Sequence, residues 1–69
     1  MTNSTINIIR NNIKTYRLKA NLTQEKLSEL AGISCDYLSE VERGKKTPSL
    51  KRLIIIAEAL GIEPYKLLK

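Results

Sequence analysis

The chain has 69 residues, 42% of them hydrophobic, so it can bury one small core and form a single domain over residues 1–69. Twelve Lys and Arg against seven Asp and Glu give a net charge of +5, which favours an anionic partner, although a solvated basic surface explains the charge equally well. With Cys35 as the single cysteine and no histidine, the sequence argues against a disulfide, a metal site, a thiol–imidazole pair and a cofactor.

Two targeting patterns are missing from the sequence. No run approaches the roughly 18 consecutive apolar residues of a membrane span. The polar start Met1–Thr5 also lacks a basic segment followed by an apolar one, as a secretory signal would have. We therefore expect a cytoplasmic protein.

A first helix is predicted over residues 6–19, because apolar residues recur there at spacings of three and four. Ser4 or Thr5 can cap this helix by accepting a bond from a free backbone N–H. Asn21 suits a left-handed stop after it.

A second and a third helix are predicted to be short and to meet at a glycine turn. Thr23 can cap the second helix, and Gly32 ends it where the chain must turn sharply. Ser34 can cap the third helix, and Gly44 ends it. The predicted inner faces consist of Leu27, Leu30 and Ala31 on the second helix and of Leu38 and Val41 on the third.

A fourth and a fifth helix complete the predicted fold. Pro48 favours an extended residue before it, so the fourth helix is predicted to begin near Ser49 or Leu50 and to end at Gly61. Glu63 followed by Pro64 is typical of a cap and a first helical residue, which predicts a brief helix over residues 64–68. The apolar stripe of the fourth helix is Leu50, Leu53, Ala57 and Leu60. The sequence thus predicts an all-α chain.

The segment over residues 24–43 has the pattern of two helices that cross at a tight turn. The crossing needs a small residue, which Ser28 supplies. The sequence from Leu22 to Gly44 resembles the Cro/CI-type (Xre-like) helix-turn-helix family, and residues 47–50 and 56–61 extend the resemblance over about residues 9–68. In size the chain is similar to the small stand-alone regulators of bacteria and phage, including restriction-modification controller proteins and compact repressors.

The resemblance implies a compact five-helix, lambda-repressor-like domain that binds double-stranded DNA. The helix over residues 34–43 would enter the major groove while the helix before it crosses the phosphate backbone. The implied function is transcriptional repression by occupying a promoter, with activation through contact with RNA polymerase as an open alternative. A second alternative is an antitoxin or another protein-interaction module that binds DNA only secondarily. No enzyme is expected, because the sequence has no nucleophile–base pair, phosphate-binding glycine loop or metal-ligand spacing.

By position in the family pattern, the residues that would read bases are Cys35, Asp36 and Glu40, with Ser39 as a further candidate. Asp36 or Glu40 could accept a bond from the amino group of cytosine, and Cys35 could touch a thymine methyl. Alternatively, Asp36 only stabilises the helix dipole and Glu40 is only solvated. Two acids facing a polyanion oppose binding unless cytosine or a neighbouring cation compensates for them.

Contacts to DNA phosphates are predicted at the margins of the motif. Gln24 begins the second helix, where backbone N–H groups and the positive end of the dipole favour a phosphate oxygen, and in the family this glutamine often contacts the DNA backbone. The other candidates are hydroxyl or cationic side chains, namely Ser34, Tyr37, Arg43, Lys45 and Lys46. The alternative for the two lysines is that they only solubilise a loop.

The resemblance also implies a structural ion pair and a homodimer. Arg17 and Glu42 occupy positions that are often paired in the family, and such a pair would orient the reading helix. Arg17 could in addition reach a phosphate. Dimers of this type bind half-sites about one helical turn apart. The apolar residues of the fourth helix and the chain end predict an interface through Ile55, Tyr65 and Leu68, unless these side chains only cover the core.

Overall fold

The computed structural model describes the backbone of residues 3–69 and the side chains of residues 5–69. The elements in chain order are α1 (Asn3–Lys19), α2 (Gln24–Ala31), α3 (Cys35–Glu42), α4 (Leu50–Leu60) and a final 3-10 helix (Pro64–Leu68). The described residues contain no strand, in agreement with the predicted all-α class.

Two of the predicted helices differ from the observed ones. The fifth helix is a 3-10 helix, which is the form that very short helical segments often adopt. Glu63 occupies the predicted cap position and Pro64 follows it at the start of the helix, but the Glu63 side chain makes no capping hydrogen bond. The first helix begins at Asn3, so Ser4 and Thr5 lie within it and not at its cap. No proline or glycine interrupts this polar stretch, so the helix continues through it.

The predicted signals around the short helices are confirmed. The side chains of Thr23 and Ser34 each accept a bond from a backbone N–H three residues later and so cap α2 and α3. α4 begins at Leu50, as predicted, and Ser49 caps it in the same way, which was not predicted. Gly32 ends α2 in the left-handed conformation, with φ of 68°, and Asn21 adopts φ of 59° after α1. These local contacts set the lengths of α2 and α3 and the sharp turn between them.

The core lies among all five elements. Its buried apolar residues are Ile9, Ile13, Leu27, Ala31, Leu38, Val41, Leu53, Ile56, Ala57 and Leu67. Two predicted core residues are exposed, since Leu30 is 52% accessible and Leu50 is 71% accessible. On α2 the buried Ser28 completes the inner face in place of Leu30, and on α4 Ile56 does so in place of Leu50.

α1 and α4 support the α2–α3 pair and hold the chain end. α1 packs against α3 and the 3-10 helix, while α4 packs against α2 and the 3-10 helix. The Asn12 side-chain amide donates to the carbonyl oxygens of Lys66 and Leu67, at 3.4 and 3.1 Å, and so anchors the 3-10 helix on α1. No helix in residues 3–69 has the length and apolar character needed to cross a membrane.

Candidate nucleic-acid interface

The outer face of α3 presents the polar side chains that were predicted to read bases. Cys35 and Asp36 are exposed, and Ser39 and Glu40 are partly exposed. The buried residues of the same helix are Leu38, Val41 and Glu42. Within residues 5–69, Asp36 has no ion-pair partner, and no group of acidic or sulfur side chains could hold a metal ion. This face therefore offers acceptors and one thiol to a partner.

Glu40 is compensated by a cation from the loop between α3 and α4. Lys46 Nζ lies 3.3 Å from Glu40 Oε1, and it also lies 5.8 Å from the centre of the Tyr37 ring. Both charged groups are partly accessible, so their attraction is screened by water. The pair makes the face less acidic than the sequence suggests, but it also engages one of the two loop lysines.

An open cleft of about 700 Å³ separates the first half of α3 from the start of α4. Ser34, Asp36 and Glu40 line one wall, while Ser49, Lys51 and Arg52 line the other. The Arg52 guanidinium carbon stacks 4.6 Å from the centre of the half-buried Tyr37 ring, an arrangement that fixes both side chains. Lys51 and Arg52 were not predicted as site residues, although two adjacent cations in the first turn of a predicted helix were a visible signal.

A buried polar network joins α1, α2 and α3. Arg17 donates to Glu42 through Nε, at 2.8 Å to Oε2, and through Nη2, at 3.1 Å to Oε1. Gln24 Nε2 donates to the same Oε1 at 2.9 Å, and Arg17 Nη1 donates to the Leu22 carbonyl oxygen at 2.8 Å. The Glu42 carboxylate thus accepts three hydrogen bonds and the Arg17 guanidinium donates three, so both charged groups are satisfied, as a buried ion pair must be.

The network constrains Gln24, whose side chain was expected to face a phosphate. One N–H of its amide is used by Glu42, so one amide N–H remains for another acceptor. The backbone N–H groups at the start of α2 also point out of the helix, as at every helix N-terminus. The site at this end of α2 is therefore partly built from α3 and α1.

The remaining phosphate candidates differ in how far they are engaged. Ser34 accepts the Tyr37 backbone N–H at 3.0 Å and keeps its own hydroxyl hydrogen. Arg43 and Lys45 are exposed, and within residues 5–69 neither forms an ion pair. Together with the engaged Lys46, these two side chains form the basic end of α3.

The three residues predicted to form a dimer interface differ in their exposure. Ile55 is half-buried and packs against the core. Tyr65 and Leu68 are 54% and 49% exposed, and their spacing of three places them on the same face of a 3-10 helix. On α4, Ile54 is exposed and Ile55 is not, so the exposed apolar surface of that helix includes Ile54 and not the predicted Ile55.

Comparisons with known proteins agree with this geometry. A model of the helix-turn-helix family HTH_3 matches residues 13–67. The control protein C.SmaI of Serratia marcescens is 41% identical over 61 residues, which cover 88% of this chain and 73% of that protein. The restriction-modification controller protein C.AhdI from Aeromonas hydrophila is 33% identical with a TM-score of 0.88, covering 93% of this chain and 97% of the other.

A third similar protein has been solved together with DNA. The structure of SinR, a master regulator for biofilm formation, in complex with DNA is 34% identical with a TM-score of 0.84, and the match covers 88% of this chain and 98% of that one. The region that the HTH_3 family model matches, residues 13–67, includes the α2–turn–α3 segment and the buried network that supports it. The chain belongs to the Cro/CI-type helix-turn-helix family of DNA-binding transcriptional regulators, which are not enzymes.

Proposed function

We propose that this chain is a sequence-specific regulator that binds double-stranded DNA as a homodimer and represses transcription by occupying a promoter. The observation that carries the proposal is the outer face of α3, which is polar and accessible and is flanked by the exposed cations Arg43 and Lys45. A recognition helix needs such a face in the major groove, with cations at the groove rim. The resemblance to controller proteins and to a DNA-bound regulator supports the same function.

In this proposal the outer face of α3 reads the bases. Asp36 and Glu40 accept bonds from cytosine amino groups, Cys35 contacts a thymine methyl, and Ser39 is a further contact. The Lys46–Glu40 ion pair supports this assignment, because it lowers the repulsion between Glu40 and the DNA backbone. Asp36, which lacks such a partner in the described residues, then has the stricter requirement for a cytosine.

The phosphate contacts in the proposal come from both ends of the motif. Gln24 would use its remaining amide N–H and the start of α2. At the other end, the phosphate ligands would be Ser34, Tyr37, Arg43, Lys45 and Lys46. Within residues 5–69 Lys45 forms no ion pair, whereas Lys46 is shared with Glu40. Lys45 would therefore contribute mainly affinity, and Lys46 would also protect the reading face.

The dimer would form through the exposed face of the 3-10 helix. Tyr65 and Leu68 would lie at its centre, with Ile54 as the neighbouring exposed residue and Ile55 at the margin. Two copies related by a two-fold axis would present two α3 helices to half-sites about one helical turn apart.

Binding to two duplexes tests the function. The protein is titrated with the DNA upstream of its own gene and with a random duplex, each at two salt concentrations. Specific binding should be on the order of 10³-fold tighter than random binding, or more. Equal and weak affinities would refute the regulator and favour the alternative, a protein-interaction module.

Single variants then test the assignments against a matched control. Lys45→Ala and Lys46→Ala should weaken binding to all sequences and make the salt dependence shallower. Lys19→Ala removes the same charge from the last turn of α1, outside the proposed contacts, and should have little effect. Asp36→Ala or Glu40→Ala should instead change the preference among sequences. Unchanged binding in all these variants, apart from the control, would refute the site assignments.

A further inference from the structure

Arg10 of α1 lies across the backbone of Gly44, at the end of α3. A Cβ atom placed on Gly44 would come within 2.9 Å of Arg10 Cδ and 3.2 Å of Arg10 Nε. Gly44 also adopts φ of 78°, so glycine is required there for both reasons. On its other side, Arg10 Nε donates to Asn7 Oδ1 at 2.9 Å. The stem of this arginine is therefore held from two directions.

The contact belongs to a close junction between α1 and the loop that follows α3. Ile6 and Ile9 of α1 lie against Val41, Thr47 and Pro48, and the Arg10 and Lys46 side chains border the same junction. This packing fixes the position of the loop relative to α1. Arg10 therefore reaches the end of α3 from a different helix, at the loop that carries the two lysines of the proposed DNA contact.

The hydrogen-bonding capacity of Arg10 is mostly unused. Within residues 5–69, only its Nε has a hydrogen-bond partner, and it forms no ion pair, so both Nη groups are available. Arg17, by contrast, uses Nε and both Nη atoms inside the buried network. A guanidinium with two free, coplanar N–H groups matches the oxygens of a phosphate.

We propose that Arg10 binds a DNA phosphate beside the one contacted by the loop lysines, an inference that rests on the proposed DNA-binding function. Lys46 shares its charge with Glu40, so Arg10, which has no acidic partner within residues 5–69, adds attraction to that of Lys45. Because Asn7 and Gly44 already order the Arg10 stem, its phosphate contact would cost less conformational entropy than that of a free side chain.

Three variants separate phosphate binding from packing. Arg10→Met keeps an apolar stem over Gly44 but removes the charge and the donors. Arg10→Lys keeps the charge but loses the planar fork. Lys19→Met removes the same charge from the side of α1 opposite Arg10 and is the matched control. Affinity for the upstream and the random duplex is measured over a range of salt concentrations, and thermal unfolding checks each fold.

The expected result is a uniform loss of affinity. Arg10→Met should weaken binding to both duplexes by a similar factor, about tenfold, as for the loss of one charged hydrogen bond. Its plot of log affinity against log salt should be shallower by about 0.9 per subunit, which corresponds to one phosphate. Arg10→Lys should retain most of the slope with reduced affinity, and Lys19→Met should resemble the wild type.

Two results would overturn the inference while leaving the regulator intact. One is an Arg10→Met variant that equals the wild type in affinity and slope, which would show that Arg10 only packs on Gly44. The other is a change in sequence preference, which would indicate a base contact. If Arg10→Met fails to fold, Arg10→Gln serves as the second neutral variant under the same criteria. Absence of duplex binding by the wild type would refute the proposed function itself.

Discussion

The ion pair between Arg17 and Glu42 predicts a large loss of stability when one partner is removed. Their side chains are only 9% and 3% exposed, and two hydrogen bonds join them. Arg17→Met removes the guanidinium and leaves the buried Glu42 carboxylate with the Gln24 amide as its remaining side-chain donor. Leaving one charge of a buried pair unpaired costs about 3–5 kcal/mol.

This cost is large for a chain of 69 residues. At roughly 0.05–0.15 kcal/mol per residue, the free energy of unfolding of such a domain is about 3.5–10 kcal/mol. Arg17→Met should therefore remove a third of the stability or more. Urea denaturation followed by circular dichroism, at one fixed protein concentration, should show a much lower midpoint with an unchanged slope.

Two control variants test whether burial causes this loss of stability. Lys26→Met breaks an exposed pair with Glu29, whose side chains are 54% and 70% accessible, and should cost less than about 1 kcal/mol. Combining Arg17→Met with Glu42→Leu removes both buried charges and should recover most of the loss, because apolar replacements of buried pairs are often neutral. If Arg17→Met loses no more free energy of unfolding than Lys26→Met, burial does not make the Arg17–Glu42 pair more important than an exposed one.

Four further changes test two glycine positions, the cap of α3 and the proposed dimer. Gly32→Ala should cost about 1–2 kcal/mol, because an L-residue is strained at this left-handed position, although its Cβ would meet no atom within 4 Å. Gly44→Ala should cost more in the same urea assay, because its Cβ also displaces Arg10, and equal costs would contradict that contact. Ser34→Ala removes the cap of α3 and should cost about 1 kcal/mol, whereas an unchanged midpoint would show that the cap is dispensable. If the proposed dimer forms through this face, Leu68→Lys should yield a folded monomer in analytical ultracentrifugation under conditions in which the wild type sediments as a dimer, and an unchanged mass would argue against this interface.

The fold was largely predictable because its boundaries are set by local chemistry. Thr23, Ser34 and Ser49 cap helices through bonds within three residues, and Gly32 turns where only a glycine is unstrained. The exposure of Leu30 was not predictable in this way. On a helix of eight residues, apolar positions at either edge of the inner face fit the same periodicity, and packing against the neighbouring helices decides which is buried.

The candidate site shows the same division between local and distant interactions. The outward positions on α3 follow from the spacing of Leu38 and Val41, which occupy its inner face. The contact of Lys46 with Glu40, the bond from Gln24 to Glu42 and the crossing of Arg10 over Gly44 join different elements. Periodicity along one helix carries no information about such contacts, so they required the three-dimensional structure.

α3 has little more than two turns, and different residues in it serve the fold and the proposed DNA contact. Leu38, Val41 and Glu42 hold it in the domain, whereas the side chains of Cys35 and Asp36 make no hydrogen bond or ion pair within residues 5–69. Where α3 reads bases as proposed, substitutions at those two outer positions should therefore alter the preferred DNA sequence with little effect on stability. A scaffold of this kind can acquire new operators by changing a few surface residues, while the network around Glu42 keeps the reading helix in place.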